Sequence, residues 1–186
     1  MTRLALAMLA CAAVSGCAHV ATHAETAAGR PQLTAAELLD IAHASEQMGD
    51  SLRAQQYLLA ALERGADERS TVASLLRLYI ADNQYPLAID LVEDRVRRHP
   101  EDARLRMLLA SLYDAIELDA SAMEQYRRVL QITPNEAQAH FALATLLHDT
   151  KQDPSSADEH YRAYLALEPH GDDAPEARSL LLKEVP

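Results

Sequence analysis

Histidines, cysteines and paired arginines are the residues of this chain whose types and spacing could do chemistry. His140 and His148 can share a helix face over two turns, with His160 further along, as a metal pair would require. No carboxylate falls at a spacing that completes a ligand set, so they read as surface histidines of a helix. His19 and His23 sit four apart in a segment without apolar periodicity and read as solvated. Arg97-Arg98 and Arg127-Arg128 are expected near helix C-termini, where a cation opposes the helix dipole favourably. The chain has only five glycines, no glycine-rich phosphate loop, no H-E-x-x-H and no G-x-S-x-G. No cofactor, no metal and no enzyme are implied.

One cysteine has a more specific setting. Met1-Thr2-Arg3 is a positive N-terminal stretch, Leu4 to Val14 is apolar, and Ser15-Gly16 places two small residues directly before Cys17. The apolar run is too short for a membrane-spanning helix, which needs about 20 residues. Val14-Ser15-Gly16-Cys17 resembles the lipobox of bacterial lipoproteins, in which the cysteine is acylated and becomes the first residue of the mature chain. Cys11 is a poorer acceptor, because Met8-Leu9-Ala10 fits that motif badly. The alternative is a plain signal peptide or an N-terminal anchor in which Cys17 is incidental. The resemblance implies a signal over residues 1–16, lipidation at Cys17 and a tether over 17–33, with no second cysteine left to form a disulfide. Ala18 to Leu33 would reach about 20–25 Å as a flexible chain. Ala18, standing where an Asp would mark inner-membrane retention, implies outer-membrane attachment facing the periplasm.

Charge narrows the partners. The chain has 17 Lys+Arg and 28 Asp+Glu, and removing residues 1–16 takes away only Arg3, so the remainder carries 16 − 28 = −12. An acidic chain is a poor fit to nucleic acid or to an anionic lipid surface. The lipid would provide the membrane attachment.

The remaining sequence repeats. Ala54, Ala88 and Ala122 recur every 34 residues, with Ala157 following after 35; Ile41, Leu75, Leu109 and Leu143 keep the same period. Pro100 and Pro134 keep it too, and Pro169 follows. One residue is added near Lys151 to Ser156, in a turn where insertion costs little. No segment alternates with period two, so the fold is expected to be all-α, each unit two helices of about 12–15 residues. Small residues at 42, 54, 110, 122 and 144 let the paired helices approach closely. Thr34-x-x-Glu37 and Ser121-x-x-Glu124 read as capping boxes, and the prolines as helix stops. Asp173 to Glu184, with Pro175 in its first turn and a stripe of Ala177, Leu180 and Leu181, reads as a helix that covers the last unit.

The period and its residues resemble the tetratricopeptide repeat. Leu109, Ala110, Tyr113, Ala122, Tyr126 and Pro134 carry the likeness in the third unit, and Leu143, Ala144, Leu147, Ala157, Tyr161 and Pro169 in the fourth. The position where that family has Trp is degenerate, holding Leu38, Val72, Arg106 and His140. The resemblance implies a solenoid of four helix-turn-helix units over about 34–66, 67–100, 101–134 and 135–169, then a capping helix and tail over 170–186.

In that family the groove is lined by repeat positions two, five, nine and twelve of each first helix. Here these include Leu39, His43, Arg77, Ile80, Arg104, Met107, Ser111, Phe141, Thr145 and His148. The Lys and Asn of a peptide-carboxylate clamp are missing. An apolar floor rimmed by arginines suits a protein or peptide partner with apolar anchors. The expected role is a lipid-anchored adaptor of the bacterial envelope, similar to tetratricopeptide lipoproteins that act as pilotins or assist pilus and secretion machines. The alternative is a structural subunit that uses a different surface.

Overall fold

The computed structural model describes residues 32–150 and 153–182; the expected signal, Cys17 and nearly all of the tether lie outside the described residues. Four helix pairs and one short helix follow one another: α1 (Ala35–Gln47), α2 (Ser51–Glu63), α3 (Glu68–Ala81), α4 (Tyr85–Arg98), α5 (Ala103–Asp114), α6 (Asp119–Ile132), α7 (Ala137–Asp149), α8 (Pro154–Leu167) and α9 (Ala174–Leu180). Among the described residues there is no strand. Each helix packs on the next, so contacts run along the chain as in a solenoid.

The repeat sets the local structure. His99, Thr133 and Glu168 cap the C-termini of α4, α6 and α8, and Pro100, Pro134 and Pro169 follow them directly. A proline there has no N–H to continue the ladder. The turn inside each of the first three units is built alike, with Gly49, Asn83 and Glu117 in the left-handed region at φ 74°, 56° and 59°. The following amides of Asp50, Gln84 and Leu118 reach back to the carbonyls of Ser45, Tyr79 and Tyr113 at 2.9, 2.7 and 2.9 Å. This closes the exposed ends of α1, α3 and α5. Only Gly49 takes that conformation without a side-chain penalty.

Small residues set how closely the helices pair. Ala42, Ala54, Ala110, Ala122 and Ala144 are fully buried between them. Leu76 stands in the second unit where Ala42, Ala110 and Ala144 stand in the others, and α3 and α4 form the loosest of the four pairs. A branched four-carbon side chain at a contact made for a methyl group holds two helices apart.

The apolar side chains form two clusters. One centres on Leu58, Leu75, Val92 and Leu109 of α2 to α5, the other on Met123, Leu143, Tyr161 and Tyr164 of α6 to α8. Fully burying one such aliphatic side chain stabilises by about 1.5–3 kcal/mol. The stack also ends cleanly at α1: its outer positions Glu37, Asp40 and Ala44 are exposed, where the equivalent Thr71 and Leu78 of α3 are buried. At the other end α9 covers α8, burying Ala174 and Ala177. Gly171 in the connecting turn has no room for a Cβ, which would run into the Tyr164 hydroxyl and the Glu168 side chain.

Three local expectations are corrected. Thr34 and Glu37 do form the reciprocal box, at 3.3 and 2.8 Å, but Ser121 and Glu124 do not. The left-handed Glu117 starts α6 early, at Asp119, and leaves Ser121 inside the first turn. Arg97 and Arg98 lie in the last turn of α4 as expected, whereas Arg127 and Arg128 fall before the last turn of α6. The final helix is shorter than the Asp173 to Glu184 expected; α9 ends at Leu180.

Candidate functional site

The first helices α1, α3, α5 and α7 position the expected groove residues through the repeat register. Spacings of three, four and three put these residues on one stripe of each first helix. His43, Arg77, Ile80, Arg104, Ser111 and His148 are exposed there, while Leu39, Met107, Phe141 and Thr145 are half-buried. Neighbouring units meet on this face: Arg77 of α3 donates to Glu46 of α1 at 2.9 Å. Ser111 and Thr145 turn their hydroxyls onto the carbonyls of Met107 and Phe141, at 3.0 and 3.1 Å.

Phe141 is tied into the core. Its ring meets Tyr161 edge-on at 5.9 Å and tilts against Tyr164 at 5.2 Å between centroids. Arg104 and Met107 instead border a hollow of about 1110 Å³. Its walls are the turn from Arg98 to Ala103, and Ile132, Thr133 and Glu136 from the next turn. The sequence pointed to Arg104 and Met107 but not to these turn residues, because a repeat ruler fixed on helices says nothing of what lies between units.

Charge is unevenly spread. At the far ends of α5 and α7, Asp114, Asp119 and Asp149 come together: partial desolvation, then these two neighbours, push the Asp114 carboxyl above the ordinary carboxylate range. The arginines gather at the opposite edge, where Arg95 and Arg98 reach Glu68 at 3.1 and 3.0 Å. Tyr113 donates to Glu93 on α4, and burial with that carboxylate pushes the phenol up to about 12.

The three candidate metal histidines separate into two environments. His148 is exposed and, among the described residues, pairs with its neighbour Asp149 at 3.1 Å. His140 and His160 are half-buried, and their Nδ1 atoms face each other at 2.9 Å across α7 and α8. Among the described residues no group of three or more metal-ligating side chains comes together, and no helix is long and apolar enough to cross a membrane.

Four helix pairs with this spacing, these turns and a terminal covering helix define a tetratricopeptide-repeat solenoid. Residues 74–137 match the family described as Tetratricopeptide repeat. Solved structures agree over most of the chain. YrrB, described as a tetratricopeptide-repeat protein with an unusual peptide-binding site, is 16% identical, with 78% of this chain and 74% of that one covered at a TM-score of 0.62. MamA from residue 41 onward, of Desulfovibrio magneticus RS-1, is 25% identical, covering 74% and 77% at 0.58. A tetratricopeptide repeat protein of Parabacteroides merdae ATCC 43184 is 17% identical, covering 78% of this chain and 58% of that one at 0.66. No curated protein matches the sequence.

Proposed function

We propose that this protein is a non-catalytic adaptor of the bacterial envelope, held to the outer membrane on its periplasmic side by lipid on Cys17, that captures a partner protein on its first-helix face. The observation that carries the reading is the hollow beside Arg104 and Met107, where apolar surface and an exposed cation lie together between two units. A peptide-binding site described for the similar YrrB supports it. The partner segment would set apolar side chains against Met107 and Ile80, turn a cationic end toward Asp114 and Asp149, and an anionic end toward Arg104. Assembly or localisation of an envelope machine such as a pilus or secretion system is the role this arrangement serves.

A second reading, a structural subunit attached by another surface, is favoured by Phe141, whose packing on Tyr161 and Tyr164 leaves the most apolar residue of the floor only partly open to a partner. The test uses Arg104→Glu with Met107→Glu, leaving Phe141 in place. On the adaptor reading, cross-linked envelope membranes lose one partner in this variant while circular dichroism stays unchanged; retention of every partner selects the second reading. Cys17→Ser separately tests the anchor: the protein should leave the membrane fraction, and if it stays there unchanged the lipid attachment is wrong.

A further inference from the structure

His140 and His160 make an arrangement that the binding role does not use. The nitrogens are 2.9 Å apart and the ring centroids 5.1 Å, so the two nitrogens lie nearly on the line joining the rings. That is the geometry of one hydrogen shared between two atoms, not of two lone pairs converging on a cation. The other nitrogen of His140, Nε2, lies 2.9 Å from the Pro134 carbonyl oxygen. A carbonyl only accepts, so Nε2 carries the hydrogen and Nδ1 of neutral His140 is bare. His160 must then donate from its Nδ1, leaving its own Nε2 bare.

We propose that this pair is a proton-operated latch between α7 and α8, closed while one ring remains neutral and opened when both are protonated. A first added proton goes to Nε2 of His160 and leaves the shared hydrogen bond in place, strengthened by the charge. A second proton has only Nδ1 of His140 to occupy. That sets N–H against N–H, with a positive charge on each ring, and the contact must part. The opposition to this second step comes from the charge already on the first ring, and the other charges around the pair act in both directions. Arg127 of α6 adds a further positive charge beside His160, whose proton affinity is lowered by burial, by His140 and by Arg127 in that order. On their own helices, Glu136 lies one turn before His140 and the exposed Glu159 adjoins His160; on α9, Glu176 lies in the first turn and Arg178 is directed to the Pro169 carbonyl. Because α7 also carries Phe141, whose ring rests on Tyr161 and Tyr164 of α8, opening the latch loosens the packing of the fourth unit.

The third unit contains a built-in control. Arg106 stands at the repeat position of His140, donating from Nε to the Pro100 carbonyl at 2.7 Å and from Nη1 to Gln125 at 2.9 Å. This contact has the same connections and nothing in it that titrates near neutrality.

The test is histidine ring nitrogen NMR on the full chain, from about pH 8 to about pH 4.5. At neutral pH His140 should show the Nε2–H tautomer and His160 the Nδ1–H tautomer. The pair should then take up protons in two steps separated by tenfold or more in affinity. The second step should coincide with shifts of the Phe141 and Tyr161 signals. Independent, single-step titration of both rings would overturn the proposal. A second measurement compares thermal midpoints of the native chain with those of His140→Arg plus His160→Gln, which copies the Arg106 and Gln125 pair. The native midpoint should fall more steeply on acidification; parallel falls would also overturn it. If the double variant does not fold, the NMR titration decides alone.

Discussion

The two halves of the stack solve one packing problem in opposite ways. At the degenerate Trp position the first two units bury Leu38 and Val72, at 5% and 7% exposure. The last two units place Arg106 and His140 there, each joining the preceding proline carbonyl to a polar side chain of the second helix. The apolar version needs only surface removed from water; the polar version must satisfy every donor and is directional. The lesson is that a repeat preserves positions and connections more strictly than it preserves chemistry.

The largest way to break this comparison lies in the cores beneath. Leu75→Ala and Leu143→Ala empty fully buried sites in the two clusters, and each should lower the unfolding free energy by about 2–5 kcal/mol in urea titrations. Next, Arg106→Met makes the third unit resemble the first two. It removes both hydrogen bonds of that side chain and should cost about 1–2 kcal/mol. Unlike the histidine pair, this loss should be the same at pH 7 and at mildly acidic pH.

The remaining effects are gains. Glu117→Gly relieves a left-handed residue and should raise stability by about 1 kcal/mol, and Asn83→Gly by less, since Asn tolerates that region better. Asp114→Asn should give the smallest gain. Its folded carboxyl is raised above the unfolded value of 3.8, so its destabilisation is present at neutral pH, fades as the pH falls through the raised folded value and is absent below 3.8. A thermal midpoint higher at neutral pH but unchanged near pH 3 would show this sign.

Much of the fold could be read in advance, because a 34-residue recurrence of Ala, Leu and Pro leaves few alternatives to paired helices, and Pro100, Pro134 and Pro169 mark their ends. The start of α6 could not, since a non-glycine left-handed residue at Glu117 has no strong local signature. The His140 and His160 contact was hidden in a different way. Arg106 and Gln125 are 19 residues apart and the histidines 20, because the added residue falls between them. The degenerate Trp position was visible, but its second-helix partners were not, as pairing across helices depends on register that composition does not give. The ruler places Phe141 in the groove floor because it fixes which face a residue takes, not how far a neighbouring ring reaches over it.

The measurement that tests the binding account most directly is site-specific photo-cross-linking of this chain in living cells. One cross-linker replaces Arg104 at the hollow, another replaces Arg128, an exposed second-helix residue paired with Glu124. The account predicts a discrete partner adduct from position 104 that disappears with Met107→Glu and is absent from position 128. An adduct formed only from position 128, and indifferent to Met107→Glu, would contradict it.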